Sequence, residues 1–453
     1  MYTSFIGKKF LEYFKEEYNK PADYTAEQFF DEEMFPVFFD DERHLMSVKG
    51  SPFFQMNAID GTRRKRFINN GLGDDNYISV KEDPVFRINA KETLKEKIKN
   101  KELGVHTFVG YGEMNPDAYT SGQITSINFD YTTEDYYYSW IGQALAIGSS
   151  SINILLDEKQ ILLQIFRGWK YYRLFMSQNP NLKENQINYW NGNWFNLSFN
   201  NTYDINYSHL NTELKGDILS IKSINWVQLI FVLCKNFKRK FLLALIYAIG
   251  DRTNTTIGFI NIYLKDIDKI YEVRDLLFIN EKETSLTDNQ IESIMPFYTF
   301  KEACKSGTIG LKSIEPKGLR QYIPKGTFTY AQGKELQINK EINFNIYKLW
   351  IMAMLNKKEL LELSREFAKI LSDTTGSQQK DNRGKTSSNQ FTKELFECTS
   401  IKQFINKVDE LVKDNDSETL RKIVEEVVLM PRDNFPLFIT LIKFEYSILS
   451  KKE

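Results

Sequence analysis

A mixed α+β fold is predicted for this chain: an N-terminal body of β-hairpins and helices, followed by a C-terminal helical bundle. Three observations predict it. Two β-rich apolar runs, FLLALIYAI (241–249) and TTIGFINIYL (255–264), flank the short connector GDRTN, which is the pattern of a hairpin. The run ILLQIFRGWKYYRLFM (161–176) is too long and apolar for a strand and reads as a helix. From residue 343 onward every apolar run has helical spacing: NFNIYKLWIMAMLNKKELLELSREFAKIL, TKELFECTSIKQFINKVDELV, SETLRKIVEEVVLM and NFPLFITLIKFEYSIL.

The elements follow in order. Ser4 is placed to cap a first helix running towards Tyr18, and Pro21 punctuates it. Thr25 opens a second amphipathic run, AEQFFDEEMF, and Gln28 three residues later completes a capping box. Pro36 ends or kinks that helix. Gly50 to Asp83 reads as loop, because GSPFF and NNGLGDDN bracket it with turn residues. Helical period returns in AKETLKEKIKNKEL (90–103) and strand alternation in GQITSINFD (122–130). Ser151 to Leu156 is a strand, and Asp157 begins the long apolar helix. Asn185 to Tyr207, rich in Asn, Tyr and Trp, reads as irregular structure or as short strands with Asn-Gly turns. A helix follows from Ile224 to about Lys235, and DIDKIYEVRDLLF (266–278) is helical.

Two domains are expected: residues 1–340 as the mixed body, with room for two subdomains, and 341–453 as the helical domain. Ser372 to Asn389 holds no large apolar residue, so a flexible loop is expected at 372–390. Ser417 and Asn434 mark helix starts after it.

Composition excludes several classes. The 59 basic and 60 acidic residues leave a net charge of −1, so the whole chain carries no overall attraction for nucleic acid, and any such binding needs a local basic patch. Cys234, Cys304 and Cys398 are isolated, which argues against disulfides and for a reducing, cytoplasmic setting. With His44, His106 and His209 equally scattered, no Cys/His metal cluster and no cofactor is expected. The N-terminus lacks the apolar core of a signal peptide. Trp226 to Gly250 is the most apolar stretch, but Lys235, Lys238, Arg239 and Lys240 split it, so two buried elements and no membrane span are expected. Gly71-Leu72-Gly73 and Gly110-Tyr111-Gly112 read as turn glycines rather than phosphate loops. No GxSxG elbow occurs.

The candidate functional residues are basic or polar. Arg63, Arg64, Lys65 and Arg66 form one cationic run in the predicted loop, where they can reach phosphates without burial. Lys238, Arg239 and Lys240 form another. Trp169-Lys170-Tyr171-Tyr172-Arg173 mixes cations with aromatic rings, a pairing suited to single strands, although a core helix is the favoured reading. Gln123 precedes a strand, and Asn185, Gln186, Asn188, Asn191 and Asn193 crowd one segment; such amides hydrogen-bond base edges or simply favour turns. No catalytic residue is assigned. The alternative is a Mg²⁺-dependent restriction-type nuclease using Asp157-Glu158-Lys159 or Glu315-Pro316-Lys317, each half of the acidic pair plus Lys that such chemistry needs.

In layout the chain resembles the large subunit of type I CRISPR Cascade effector complexes. The blocks that carry the resemblance are YTAEQFFDEEMFPVFF (24–39), SGQITSIN (121–128), NQINYWNGNW (185–194), GDRTNTTIGF (250–259) and VVLMPRDNFPLFITLIKF (427–444). The paired CxxC zinc motif of some members is absent. The resemblance implies an antiviral defence role without catalysis. It implies contacts with guide RNA, target double-stranded DNA, other effector-complex subunits and a recruited helicase-nuclease. In such systems base pairing reads the long target and protein reads a short flanking motif.

Overall fold

The computed structural model describes residues 1–40, 52–53, 56–71, 77–80, 83–102, 104–110, 131–202, 210–238, 241–249, 254–278, 286–326, 341–378, 387–412 and 417–449. The fold is α+β, with helix outweighing strand by 64% to 10% among the described residues. The chain divides into two compact units, residues 1–262 with 304–308, and residues 263–303 with 309–453.

The first unit is built on two helices that cross at close range, α1 (Tyr2–Glu17) and α6 (Thr133–Ala144). A Cβ added at Gly7 would lie 1.9 Å from the Tyr138 carbonyl oxygen, and one at Gly142 would lie 2.0 Å from that of Thr3. Each helix therefore presents a glycine to the other's backbone. Ser4, predicted as a cap, sits instead inside α1, where its hydroxyl donates to the Asp135 carbonyl at 3.0 Å. Met1 is the residue before the first turn. A serine's capping potential is overridden here because the helix start is set by packing on α6.

The Thr25–Gln28 capping box forms as predicted. Thr25 Oγ1 accepts from the Gln28 N–H at 3.1 Å, and Gln28 Oε1 accepts from the Thr25 N–H at 2.8 Å. It opens α2 (Ala26–Phe29), which widens into a π turn (Phe30–Met34) and continues as α3 (Phe35–Phe38). Pro36 has no N–H to give, so it is tolerated at the start of α3, and the wide turn absorbs the change in pitch.

The apolar face of this region is aromatic. Phe10 and Phe14 of α1 each meet Phe29 of α2 edge-on, at 5.5 and 4.9 Å. Phe38 meets Trp169 at 4.9 Å and Phe39 meets Trp140 at 5.5 Å. Much of the high aromatic content is thus spent on packing, where ring pairs add to the area they bury.

The sheet has the order β1-β2-β5-β6-β7: β1 (Ile147–Ser149), β2 (Ile152–Leu156), β5 (Leu242–Ile249), β6 (Asn254–Ile262) and the short β7 (Thr308–Ile309). β1, β2, β5 and β6 pair antiparallel in that order, so the predicted β5–β6 hairpin is present. β6 carries an extra residue, Ile257, where Tyr247 pairs with Thr256 and Ile246 with Gly258. Gly258 takes φ +128° at that bulge, a conformation costly for a residue with a Cβ. A second hairpin pairs β3 (Thr212–Lys215) with β4 (Ile218–Ile221). Helices α5 (Pro84–Lys99), α7 (Lys159–Gln178), α8 (Ile187–Phe199) and α9 (Trp226–Asn236) complete the unit with α4 (Met56–Asn69).

α8 corrects the expectation of irregular or strand structure at Asn185 to Tyr207; residues 203–209 lie outside the described residues. The asparagines that suggested turns make the helix possible. Asn188 Nδ2 donates to the Gln143 and Ala146 carbonyls, and Asn191 Nδ2 to those of Ala144 and Ala146. These carbonyls lie at and just beyond the end of α6, where a helix leaves its acceptors unsatisfied. The predicted strand 122–130 lies outside the described residues.

His106 is 3% exposed, stacked on Phe108 at 4.0 Å, with Tyr136 edge-on at 5.5 Å. Its Nδ1 accepts from the Phe108 N–H at 3.4 Å, and among the described residues its Nε2 meets no partner. Burial pushes its pKa down to about 4. The unfolded chain takes up a proton below about 6.5 and the folded one only near 4, so stability falls with pH across that window. The loss approaches roughly 3 kcal/mol. His106→Asn keeps an acceptor for Phe108 and cannot titrate. Its unfolding free energy, followed from pH 7 to 4.5, is expected to fall less steeply than the wild type's; parallel profiles contradict this.

The second unit holds α10 (Leu264–Phe278), α11 (Asp288–Ile294) and the helices from α13 onward: α13 (Glu341–Leu355), α14 (Glu359–Gln378), α15 (Ser387–Phe396), α16 (Ile401–Leu411), α17 (Ser417–Leu429) and α18 (Phe435–Leu449). α14 and α13 pack on α18, and α10 packs on α13. The helix starts predicted at Ser417 and after Asn434 are observed. Ser372 to Gln378, expected as loop, instead extend α14, and Ser387 to Asn389 open α15; residues 379–386 lie outside the described residues. Extending an existing helix through Ser, Asp and Thr costs only tenths of a kcal/mol per residue, and through Gly376 about 1 kcal/mol, so polar composition alone does not stop it.

Candidate nucleic-acid interface

Arg63, Arg64, Lys65 and Arg66 lie in α4, not in a loop. The glycines, proline and asparagines that flank the segment suggested a loop, while Arg, Lys, Met and Ala within it are good helix formers. Gly71, at φ +79°, follows the helix end. Four consecutive residues at about 100° apiece spread around a helix rather than forming one stripe. All four are exposed.

Two of the four have acidic neighbours. Arg63 Nη1 lies 3.7 Å from Asp83 Oδ2, while Asp83 Oδ1 caps α5 by accepting from the Val85 and Phe86 N–H groups. Arg64 sits four residues after Asp60, the favourable order for an ion pair along a helix, and its charge acts on that carboxylate. Asp60 Oδ1 also accepts from the Val80 N–H at 2.7 Å, Tyr77 Oη at 3.0 Å and Ser79 Oγ at 3.2 Å. Burial pushes the Asp60 carboxyl up. The three hydrogen bonds and Arg64 outweigh it and hold the group below its ordinary range. Asp60 therefore stays ionised and fastens residues 77–80 to α4. Among the described residues Lys65 and Arg66 have no acidic partner.

Lys238 follows the end of α9, exposed and without an acidic partner among the described residues. Gln123, Arg239 and Lys240 lie outside the described residues. The split of Trp226 to Gly250 into two buried elements is observed as α9 and β5, and no described helix is long and apolar enough to cross a membrane.

The Trp169 to Arg173 run is a core helix, as favoured. Trp169 and Tyr172 are buried, Tyr171 stacks on Trp194 at 4.7 Å, and Arg173 Nη2 donates to the Asp40 carbonyl at 2.8 Å. The inner amides of the Asn-rich segment are also structural. Besides Asn188 and Asn191, Gln186 Oε1 accepts from the Ile221 N–H, and Asn193 Nδ2 donates to the Tyr189 and Lys222 carbonyls. Sequence reasoning missed Gln143, Asn153 and Asn181, which open with Asn185 onto one cleft. The available signal was a lone Asn in the otherwise apolar strand INILL.

Two of the acidic nuclease candidates, Asp157 and Glu315, are held by cations. Asp157 Oδ2 accepts from Lys9 Nζ at 2.5 Å. Glu315 takes two hydrogen bonds from Arg320, at 2.9 and 3.4 Å, and that guanidinium lies 4.1 Å from the Phe297 ring centroid. The two carboxylates belong to different units. Among the described residues no three His, Cys, Asp or Glu side chains are grouped to hold a metal. The three cysteines are buried, and burial pushes the Cys304 thiol up to about 12.

No protein-family model matches this chain, and no curated protein matches it in sequence.

Proposed function

We propose that this chain is a non-catalytic nucleic-acid-binding subunit that grips the phosphate backbone with α4. The observation that supports this most is the exposed four-cation turn Arg63–Arg66, in which Lys65 and Arg66 have no acidic partner among the described residues. On a chain of net charge −1, such a turn concentrates positive charge locally. Each cation that meets a phosphate releases a counterion, which gives affinity without sequence preference. The Asp60 and Asp83 contacts tie α4 to its neighbours, so less ordering is needed on binding.

The finer reading rests on the layout resemblance: a CRISPR surveillance-complex subunit that recognises a short motif in double-stranded DNA beside guide RNA and partner subunits. The test is duplex binding by the full chain at fixed low salt, read by fluorescence anisotropy. The fourfold variant Arg63→Gln, Arg64→Gln, Lys65→Gln, Arg66→Gln is expected to bind at least about tenfold more weakly. Equal affinities rule out α4 as the contact.

A further inference from the structure

The first unit holds a second polar feature, a cleft whose lining includes no residue of either cation run. The cleft, of about 930 Å³, is lined by Gln143 of α6, Asn153 of β2, the 180–189 segment and the β3–β4 hairpin. Gln143, Asn153, Asn181 and Asn185 each bring an amide to it, and among the described residues none of these four side chains has a hydrogen-bond partner. This contrasts with Asn188 and Asn191 nearby, whose amides are spent on α6 carbonyls. Tyr189 also lines the cleft, and its ring makes no aromatic contact among the described residues. The backbone around the cleft is held in an uncommon form. Ser151 has φ +67° and Asn185 φ +58°, left-handed conformations that cost a non-glycine residue of the order of 1 kcal/mol each. Such strain persists where a surrounding arrangement demands it, often at binding sites.

The chemistry of the lining narrows the ligand. One cation, Lys183, faces two acids, Glu184 and Asp217, so the cleft has no excess of positive charge to attract a polyphosphate. Four free amides each offer one donor group beside one acceptor, the arrangement presented by a nucleobase edge. A free tyrosine ring supplies a face for stacking, and Lys183 suffices for a single phosphate. From the four unpartnered amides around one unstacked tyrosine, we infer that this cleft takes an unpaired nucleobase.

The inference deepens the nucleic-acid reading and depends on it only for the source of the base. It is tested with free nucleosides, which do not involve α4. Adenosine, guanosine, cytidine and uridine at millimolar concentration are mixed with the full chain, with glucose and maltose as comparison ligands, and saturation transfer to ligand protons is measured by NMR. Transfer to the base protons of at least one nucleoside is expected. Asn185→Gly keeps the left-handed backbone and removes the amide, and Asn181→Ala alters an exposed position. Each is expected to weaken the nucleoside about tenfold while leaving duplex affinity within about twofold of wild type. The α4 variant is expected to lose duplex binding and keep the nucleoside. The inference is overturned by absence of transfer to all four nucleosides, by equal transfer in both amide variants with unchanged thermal midpoints, or by transfer to the sugars alone.

Discussion

Gly7→Ala is expected to destabilise the protein by about 2–4 kcal/mol, because the new methyl meets backbone rather than a movable side chain. Its Cβ falls 1.9 Å from the Tyr138 carbonyl oxygen, well inside van der Waals contact. α1 and α6 must then move apart. That opens a gap beside Ile6, Phe10, Trp140 and Ile141, all fully buried. Alanine's higher helix propensity returns about 1 kcal/mol, too little to offset the loss. Gly142→Ala meets the Thr3 carbonyl at 2.0 Å and is expected to act alike. Because one separation relieves both clashes, the double variant is expected to lose clearly less than the sum of the singles. Gly61→Ala is the control. Nothing lies within 4 Å of its added Cβ, so it is expected to be neutral or to stabilise α4 by up to about 1 kcal/mol. Denaturation midpoints decide the matter, and a Gly7→Ala protein as stable as wild type contradicts the close crossing.

Glu445→Ala is expected to cost the second unit about 3–5 kcal/mol. Glu445 Oε1 lies 3.0 Å from Lys348 Nζ, and both side chains are 8% exposed; Arg365 Nε stands 3.5 Å from Oε2. One carboxylate therefore joins α18 to α13 and α14. The 3.0 Å contact is not aligned as a hydrogen bond, so its attraction is chiefly that of opposite charges. Alanine strands the Lys348 ammonium in a buried place, and that uncompensated charge is the source of the loss. Replacing both partners, as Lys348→Met with Glu445→Leu, is expected to recover most of it. A single-variant loss below about 1 kcal/mol in chemical denaturation contradicts this.

These contacts differ in how far the sequence discloses them. The Thr25–Gln28 box, the β5–β6 hairpin and the core helix around Trp169 are local patterns, readable because their partners lie close in the chain. The turn-rich flanks of α4 outvoted the helix formers inside it. The asparagines of α8 read as turn residues because the carbonyls they satisfy, at residues 143–146, are some forty positions away. Gly7 and Gly142 look like ordinary helix-weakening glycines until their helices cross. The cleft amides come from three separate stretches that share no motif. Of the residues singled out for nucleic acid, the sequence located the α4 cations but not their geometry. It could not show that Asp60 and Asp83 engage two of them.

The binding role of α4 is tested most directly by the salt dependence of duplex affinity. Each phosphate contact contributes roughly 0.9 to the slope of log K against log salt. Wild type is expected to show a steep negative slope, and the variant neutralised at Arg63, Arg64, Lys65 and Arg66 one that is shallower by about 2 or more. Identical slopes for the two proteins, or a wild-type affinity indifferent to salt, contradict the proposal that this helix meets the phosphate backbone.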